Sequence, residues 1–274
     1  MDFGLSTHLF VSERLSSHIL DGILAAGFRT IEIFAARQHL DYYDLNHVRD
    51  VAQWFKDHEM TLHSLHAPLY ADFDWGRSDG QALSVAHLER RRRIDSMEEI
   101  KRAIEVAERI PFRYLILHLG LVEEEYDLQK FDAAMTSIEH LKIFAKERGA
   151  QILLENTPNE LSTPERLVKF IEYSRLEDLK ICFDTGHAHM TCGVRPAFET
   201  LKGRIASTHV HDNRREKDDH AFPYDGGIDW EQTMRDFRSV EGQFPVIFEL
   251  RDYGPETSGL GRLREVIQKM DSIR

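Results

Sequence analysis

The sequence has 274 residues, 42% hydrophobic and 30% charged, with a formal net charge of -12 at pH 7. That length suits two average domains or one closed α/β barrel of about 250 residues. The acidic balance argues against a broad electrostatic grip on nucleic acid, and no apolar run approaches the ~20 residues of a membrane span. The N-terminal segment is unlike a signal peptide, and the two cysteines, Cys182 and Cys192, fit a reducing compartment. We therefore expect a cytoplasmic protein that inserts in no membrane.

Short apolar runs bounded by turn residues recur along the chain and predict eight strands. In chain order these are residues 3–6, 30–34, 61–66, 114–118, 152–155, 179–184, 205–211 and 246–250. Apolar residues spaced as on one face of a helix lie between the strands, as in the repeat Val48, Val51, Ala52 and Phe55. The sequence therefore alternates strands with helices.

Helix starts support the same alternation. Thr163 followed by Pro164 is typical of a helix N-cap and first turn, and Asp229 with Gln232 forms a capping pair. Eight strands alternating with helices, without a flexible linker, predict a single (β/α)8 barrel domain over residues 1–274. A doubly wound sheet is the alternative, although no glycine-rich phosphate loop follows the first strand.

The predicted strands end in side chains that can bind metal ions. In a parallel α/β barrel the carboxyl ends of the strands meet at one mouth, where active sites form. The residues at these ends are His8, Glu32, His66, His118, Glu155, Asp184, His209, His211 and Glu249. A single one has a structural explanation, and Asp184 after its apolar run is typical of a turn or helix cap. Carboxylates gathered at one mouth repel unless cations separate them, so the pattern predicts a metal site that Asp184 and His187 face.

These segments resemble the xylose isomerase-like TIM barrel superfamily. It includes sugar and sugar phosphate isomerases and epimerases, inosose dehydratases, hydroxypyruvate isomerases and endonuclease IV. The resemblance covers nearly the whole chain. The segments that carry it are LHAPL at His66, LILHLG at His118, LLENTP at Glu155, CFDTGHA at Asp184 and His187, THVHDN at His209, DDH at Asp218 and His220, GGIDW at Asp229 and FEL at Glu249.

The resemblance implies two overlapping metal sites. In the ketose epimerase branch, one divalent ion is held by residues that match Glu155, Asp184, His209 and Glu249, and the match of His187 contacts substrate. In the endonuclease IV branch, a trinuclear zinc cluster has ligands that match His66, His118, Glu155, Asp184, His187, His209, Asp218, His220 and Glu249. His211 faces the same side of its strand as His209, so either of them is a candidate for the ligand from the seventh strand.

The first functional hypothesis is isomerisation or epimerisation of a sugar, sugar phosphate or related polyol through an enediolate. A divalent ion, which can be Mn²⁺, Zn²⁺, Co²⁺ or Fe²⁺, would polarise the substrate carbonyl. Glu155 and Glu249 would act as the acid–base pair, and His187 would bind a sugar hydroxyl. Further expected substrate contacts are His8, Glu32, His211 and Arg214.

The second hypothesis is phosphoester hydrolysis by two or three clustered ions, on a small phosphorylated substrate or nucleic acid. The complete ligand set favours it, whereas the short loop after the second strand lacks a basic stretch for gripping DNA. A third class is a barrel that binds without catalysis. Substrate specificity is expected in the loops at residues 67–90 and 212–227, and these features leave the substrate and the oligomeric state open.

Overall fold

Strands and helices alternate along the chain in the computed structural model, which describes residues 1–74, 80–174, 176–240, 242, 244–251 and 259–273. The strands are β1 Phe3–Ser6, β2 Thr30–Phe34, β3 Leu62–His66, β4 Phe112–Leu117, β5 Gln151–Glu155, β6 Lys180–Asp184, β7 Ile205–His209 and β8 Val246–Phe248. The α-helices are α1 Ser17–Ala25, α2 Leu45–Asp57, α3 Arg90–Ile104, α4 Leu128–Lys146, α5 Pro164–Ser174, α6 Thr185–Met190, α7 Val194–Leu201, α8 Trp230–Arg238 and α9 Gly259–Ser272. Short 3₁₀ helices span Thr7–Phe10 and Glu105–Glu108.

The eight strands form one parallel sheet in the order β7-β6-β5-β4-β3-β2-β1-β8. The two end strands of that order meet through a parallel bridge between Val210 and Phe248. There the Val210 amide donates to the Ile247 carbonyl at 2.8 Å, and the Glu249 amide donates to the Val210 carbonyl at 3.3 Å. The sheet is therefore a nearly closed (β/α)8 barrel, which confirms the predicted fold and rules out the open doubly wound alternative.

Side-chain alternation along the strands separates an apolar layer from the barrel interior. On β6, Phe183 packs edge-on against Phe198 of α7 and Phe237 of α8, with ring centroids 5.8 and 6.1 Å apart. Because successive residues face opposite sides of the sheet, Cys182 and Asp184 point into the barrel. The apolar residues of each run thus hold the helices, while the residues between them line the interior and the mouth.

Most predicted boundaries agree with the structure. α5 begins at Pro164, and the Arg166 amide donates to the Thr163 hydroxyl at 3.3 Å. Asp229 caps α8 by accepting from the Gln232 amide at 3.0 Å. The sixth helical segment is divided into α6 and α7: α6 ends at its C-cap Thr191, and Gly193, whose φ of 94° favours glycine, is the N-cap of α7.

Two predicted strands are shorter than expected. β7 ends at His209 and β8 ends at Phe248, whereas the predicted ranges were 205–211 and 246–250. Beyond His209 the backbone bonds to other partners: the Thr185 hydroxyl donates to the His211 carbonyl at 3.0 Å, and the Asp212 amide donates to the Ala221 carbonyl at 2.8 Å. The chain therefore leaves the sheet to form the loop after β7.

The long loop after β3, predicted at residues 67–90, is described at 67–74 and 80–90, and residues 75–79 lie outside the described part. An antiparallel bridge joins Tyr70 to Ala82 within it. Among the helices that the structure describes, none is both long and apolar enough to cross a lipid bilayer.

Candidate metal centre

Asp184 ends β6 and also starts α6, so its carboxylate has two tasks. One oxygen, Oδ1, accepts from the His187 amide at 2.6 Å and caps the helix. The Asn156 side chain fixes the backbone here, accepting from the Asp184 amide and donating to its carbonyl, both at 2.9 Å. The other oxygen, Oδ2, lies 3.0 Å from His211 Nε2. Helix capping thus orients the carboxylate toward the mouth, and the two interpretations of Asp184 are compatible.

Four buried side chains at strand ends bring their ligand atoms to one place. Glu155, Asp184, His209 and Glu249 offer atoms that all lie within 4.8 Å of one another. His209 Nδ1 is 3.3 Å from Glu155 Oε1, 3.3 Å from Glu249 Oε2 and 3.9 Å from Asp184 Oδ2. One imidazole nitrogen therefore faces three carboxylates.

Three further imidazoles surround the Glu155 carboxylate. His66 Nε2 lies 3.5 Å and His118 Nε2 lies 3.2 Å from Glu155 Oε2, while His187 Nδ1 lies 3.2 Å from Oε1. The His187 Nδ1 proton is given to the Asn156 carbonyl at 3.0 Å. Glu155 thus belongs to the four-residue group and also faces three further histidines, so its two oxygens could serve more than one ion.

A neighbouring group is formed by His211, Asp218 and His220, whose ligand atoms also lie within 4.8 Å of one another. Asp218 Oδ2 is 3.0 Å from His187 Nε2 and 3.2 Å from His220 Nε2, and the His211 and His220 rings stack at 4.1 Å. A methyl group on Gly186 would overlap the His211 ring, so glycine is required there. The structure thus places His209 in the four-residue group and His211 in the neighbouring one.

The loop that carries Asp218 and His220 is held by Asp212, a residue that sequence reasoning did not single out. The buried Asp212 carboxylate accepts from the backbone amides of Tyr224, Gly227 and Ile228 at 3.0–3.1 Å and from the Trp230 indole at 2.7 Å. His220 itself adopts φ 48°, an uncommon conformation for a residue other than glycine. A loop under such constraint presents its ligands in one arrangement.

The charges of the cluster balance one another in the protein alone. Burial raises the pKa of Glu155, but His209 and His118 outweigh it and hold that pKa well below its ordinary value. Burial opposes the charged form of His209, yet the carboxylates of Glu249, Glu32 and Glu155 raise its pKa well above the ordinary value. In the protein alone, a proton on His209 therefore offsets part of the carboxylate charge, a role that a bound cation would take over.

Unsatisfied atoms show that the cluster fits a divalent ion. Glu155 Oε1, His209 Nδ1, His211 Nδ1 and Asp218 Oδ1 are buried and have no hydrogen-bond partner among the described residues. Buried polar atoms are rarely left without partners. Mixed carboxylate and imidazole donors suit Mn²⁺, Fe²⁺, Co²⁺ or Zn²⁺. The donor set and its unsatisfied atoms together fit a divalent ion.

The predicted substrate contacts lie in different surroundings. His8 is buried at the mouth, donates from Nδ1 to the Leu250 carbonyl at 2.9 Å and lies 4.6 Å from the His220 ring. Its burial and the neighbouring His220 hold the pKa of His8 well below its ordinary value. Glu32 is buried below the cluster, and Arg214 is exposed in the loop after β7, where it donates to the Asp225 carbonyl at 3.5 Å.

A parallel barrel with a carboxylate–imidazole cluster at the carboxyl ends of its strands defines a TIM barrel with its candidate site at the mouth. The family model described as "Xylose isomerase-like TIM barrel" matches residues 20–272. The chain therefore belongs to that family.

Two curated relatives are similar over part of their length. The protein y4fM of Sinorhizobium fredii is 28% identical over 168 residues, which cover 57% of this chain and 53% of that protein. The protein MJ1614 of Methanocaldococcus jannaschii is 28% identical over 163 residues, which cover 58% of this chain and 63% of the relative. The matched part thus spans less than two thirds of each relative.

Solved structures share the fold over the whole chain. A D-tagatose 3-epimerase-like protein superposes with a TM-score of 0.79 at 23% identity, covering 100% of this chain and 98% of the other. The 3-keto-D-glucoside 4-epimerase YcjR of E. coli has a TM-score of 0.77 at 15% identity, with 99% of both chains covered. The IOLI protein with a bound zinc atom has a TM-score of 0.75 at 17% identity, covering 100% and 96%. At these identities the likeness concerns the fold.

Proposed function

We propose that this protein is a divalent-metal-dependent isomerase or epimerase of a sugar, sugar phosphate or related polyol. The observation that carries the proposal is the buried group Glu155, Asp184, His209 and Glu249, in which Glu155 Oε1 and His209 Nδ1 have no hydrogen-bond partner among the residues that the structure describes. Solved structures of the same fold include sugar epimerases, one of them a D-allulose 3-epimerase in complex with D-allulose. The small carbohydrate substrate is proposed on that likeness.

The four-residue group would hold the ion. A bound divalent ion would supply electrostatic polarisation of a substrate carbonyl, which makes the proton on the adjacent carbon more acidic. The candidate ions are Mn²⁺, Zn²⁺, Co²⁺ and Fe²⁺, because each of them binds mixed carboxylate and imidazole ligands.

The proton transfer is assigned to Glu155 and Glu249. Each carboxylate has two oxygens, so one can face the ion while the other takes or returns a proton at the carbon beside the carbonyl. The two residues come from β5 and from the end of β8, so they approach a substrate in the mouth from different directions. His187 donates from Nδ1 to Asn156, and its Nε2, now beside Asp218, is placed to bind a sugar hydroxyl. The Nε2 atom of the partly buried His118 lies 3.2 Å from Glu155 Oε2, to which it can donate a hydrogen bond.

Deuterium exchange tests this assignment directly. The protein loaded with one divalent ion at a time is incubated in D₂O with a panel of ketoses, aldoses and their phosphates. The wild type should incorporate deuterium at the carbon next to the carbonyl, and Glu155→Gln and Glu249→Gln should not. Glu99→Gln, a change to a buried carboxylate on α3 outside the cluster, is the matched control. Incorporation at the wild-type rate in both cluster variants would exclude them as the acid–base pair.

Phosphoester hydrolysis is the second candidate, because the ligand atoms exceed what one ion needs. The group His66–Glu155–His209 shares two residues with the four-residue group, and the group His211–Asp218–His220 adjoins it through the 3.0 Å contact between His211 Nε2 and Asp184 Oδ2. Two or three ions held together stabilise both the attacking and the leaving oxygen of a phosphoryl transfer. The number of ions per chain separates the two candidates.

A further inference from the structure

Glu32 lies deeper in the barrel than the cluster. The strand register pairs Phe34 with His66 and Glu32 with Ser64, so Glu32 sits one layer below the residues at the mouth. Its side chain is fully buried. Both carboxylate oxygens lie within reach of His209 Nε2, at 3.0 and 3.2 Å, and one of them accepts from the Ser64 hydroxyl at 2.6 Å. A substrate in the mouth therefore has no access to it.

We propose that Glu32 is a positioning residue that turns His209 Nδ1 toward the ion, rather than a substrate contact. The proposal rests on the metal site of the proposed function. A neutral imidazole has one protonated nitrogen, and the acceptor beside that nitrogen decides which one it is. When the neutral His209 ring donates Nε2–H to Glu32, its lone pair is on Nδ1. Nδ1 faces Glu155 and Glu249 and has no hydrogen-bond partner among the described residues.

The surroundings of Glu32 support a role tied to His209. Among the ion pairs of the described residues, the partner of Glu32 is the His209 imidazole. A buried carboxylate with an imidazole as its ion-pair partner costs stability unless that imidazole stays fixed against it. Carboxylates behind a ligating histidine fix its ring and increase its basicity, and their loss typically weakens metal binding 10–100-fold. Ser64 in turn fixes the carboxylate, so the order Ser64–Glu32–His209 forms a chain of hydrogen bonds that ends at the ion.

Metal binding without substrate tests the proposal. Co²⁺ affinity and stoichiometry are measured by competition with a coloured chelator for wild type, Glu32→Gln, Glu32→Ala and Ser64→Ala. We expect unchanged stoichiometry at saturation, with affinity about 10-fold lower for Glu32→Gln and about 100-fold lower for Glu32→Ala. Ser64→Ala keeps the carboxylate and should weaken binding only roughly threefold. Glu99→Gln removes a buried negative charge elsewhere and should bind Co²⁺ as the wild type does.

A spectroscopic readout distinguishes positioning from mere packing. In the Zn²⁺-loaded protein with ¹⁵N-labelled histidine, His209 should show a protonated Nε2 whose proton resonates far downfield. That resonance should move upfield in Glu32→Gln, because a neutral amide oxygen is a weaker acceptor than a carboxylate. Wild-type affinity and an unmoved resonance in Glu32→Gln would overturn the role of Glu32 alone. A wild type that binds no ion would overturn the proposed metal site and this inference with it.

Discussion

Two buried glutamates, Glu99 on α3 and Glu155 at the end of β5, differ in how completely their oxygens are paired. Each Glu99 oxygen accepts from a phenol at 2.6 Å, one from Tyr42 and the other from Tyr43. Burial and the nearby Glu99 raise the pKa of both phenols, so they remain protonated donors. Glu155 Oε1, in contrast, has no hydrogen-bond partner in the described part of the chain, although the imidazoles of His187 and His209 approach it.

This difference in hydrogen bonding indicates a structural role for Glu99 and a ligand-binding role for Glu155. A carboxylate whose partners are complete needs nothing from outside the chain and stabilises the fold. A buried carboxylate with an unsatisfied oxygen lowers stability unless a ligand completes it. Stability alone favours the first arrangement, and a bound ion is the ligand that would complete the second. Substitutions in the two regions should therefore have opposite signatures.

The largest expected effect is on activity. Glu155→Gln should lower turnover at least ~1000-fold, since it removes a proton acceptor and a ligand together, while Glu99→Gln should leave turnover within about twofold. The free energy of unfolding, compared in the metal-free proteins, should show the reverse. Glu99→Gln loses acceptor geometry at two phenols and should lower the free energy of unfolding by about 1–3 kcal/mol. Both variants are compared by steady-state kinetics and by chemical denaturation. Equal loss of turnover in both would contradict the different roles of Glu99 and Glu155.

Metal removal should have the next largest effect. An ion that binds the folded cluster at 1000 times its Kd adds about 4 kcal/mol to the free energy of unfolding. Thorough chelation should then lower Tm by roughly 10 °C, and one divalent ion should restore it. Glu155→Gln should show little response to chelator, and Glu99→Gln should respond as the wild type does. No metal in the purified protein, together with a Tm that chelation leaves unchanged, would contradict the metal site.

Much of the fold followed from patterns that the chain displays locally. Apolar runs that end in a histidine or carboxylate predicted the strands, because parallel barrel strands are buried and only their carboxyl ends reach the mouth. The ends of β7 and β8 did not follow, since the chain beyond His209 bonds to Thr185 and the loop after β7. Those partners are distant in sequence, and alternation alone does not reveal them.

The candidate site was predicted less completely than the fold. Period-two alternation tells which strand residues face inward but not their height in the barrel, so Glu32 looked equivalent to His66 although the register places it one layer lower. Asn156 and Asp212 hold the site through backbone contacts. Asparagine and aspartate after strands are common in turns, and sequence gives no sign of what they hold.

The pH dependence of stability extends the comparison to His39, a buried histidine outside the cluster. His39 lies in the loop after β2 and donates from Nδ1 to the Glu13 carbonyl at 2.6 Å, while its buried Nε2 has no hydrogen-bond partner within the described ranges. Burial lowers the pKa of His39 to about 4. The unfolded chain, with a pKa near ~6.5, binds this proton first as pH falls, so stability is complete above about pH 6.5 and is lost toward pH 4.

The expected size is about 2 kcal/mol between pH 7.5 and pH 5, from the difference in proton binding. His39→Gln stays neutral and should lose that much less stability than the wild type over this range, measured by denaturant unfolding of the metal-free proteins. His140→Gln, a change on the exposed surface of α4, is the control and should follow the wild type. Parallel pH profiles for His39→Gln and the wild type would show that the buried His39 ring accepts a proton in the folded protein.

The smallest expected effect concerns Asp218 and His220, two residues that a site for a single ion does not need as ligands. Glu155, Asp184, His209 and Glu249 form a complete group without them. If they serve substrate, Asp218→Ala/His220→Ala should keep one ion per chain and raise KM about 10-fold, because His187 Nε2 loses its carboxylate partner at 3.0 Å. Metal per chain by mass spectrometry, beside assays with ketoses and phosphoesters, tests this. The contrary outcome is that the wild type binds two or three ions, and that the variant binds one fewer and no longer turns over a phosphoester. This result would favour the hydrolase, because Asp218 and His220 would then be ligands of a second ion and not substrate contacts.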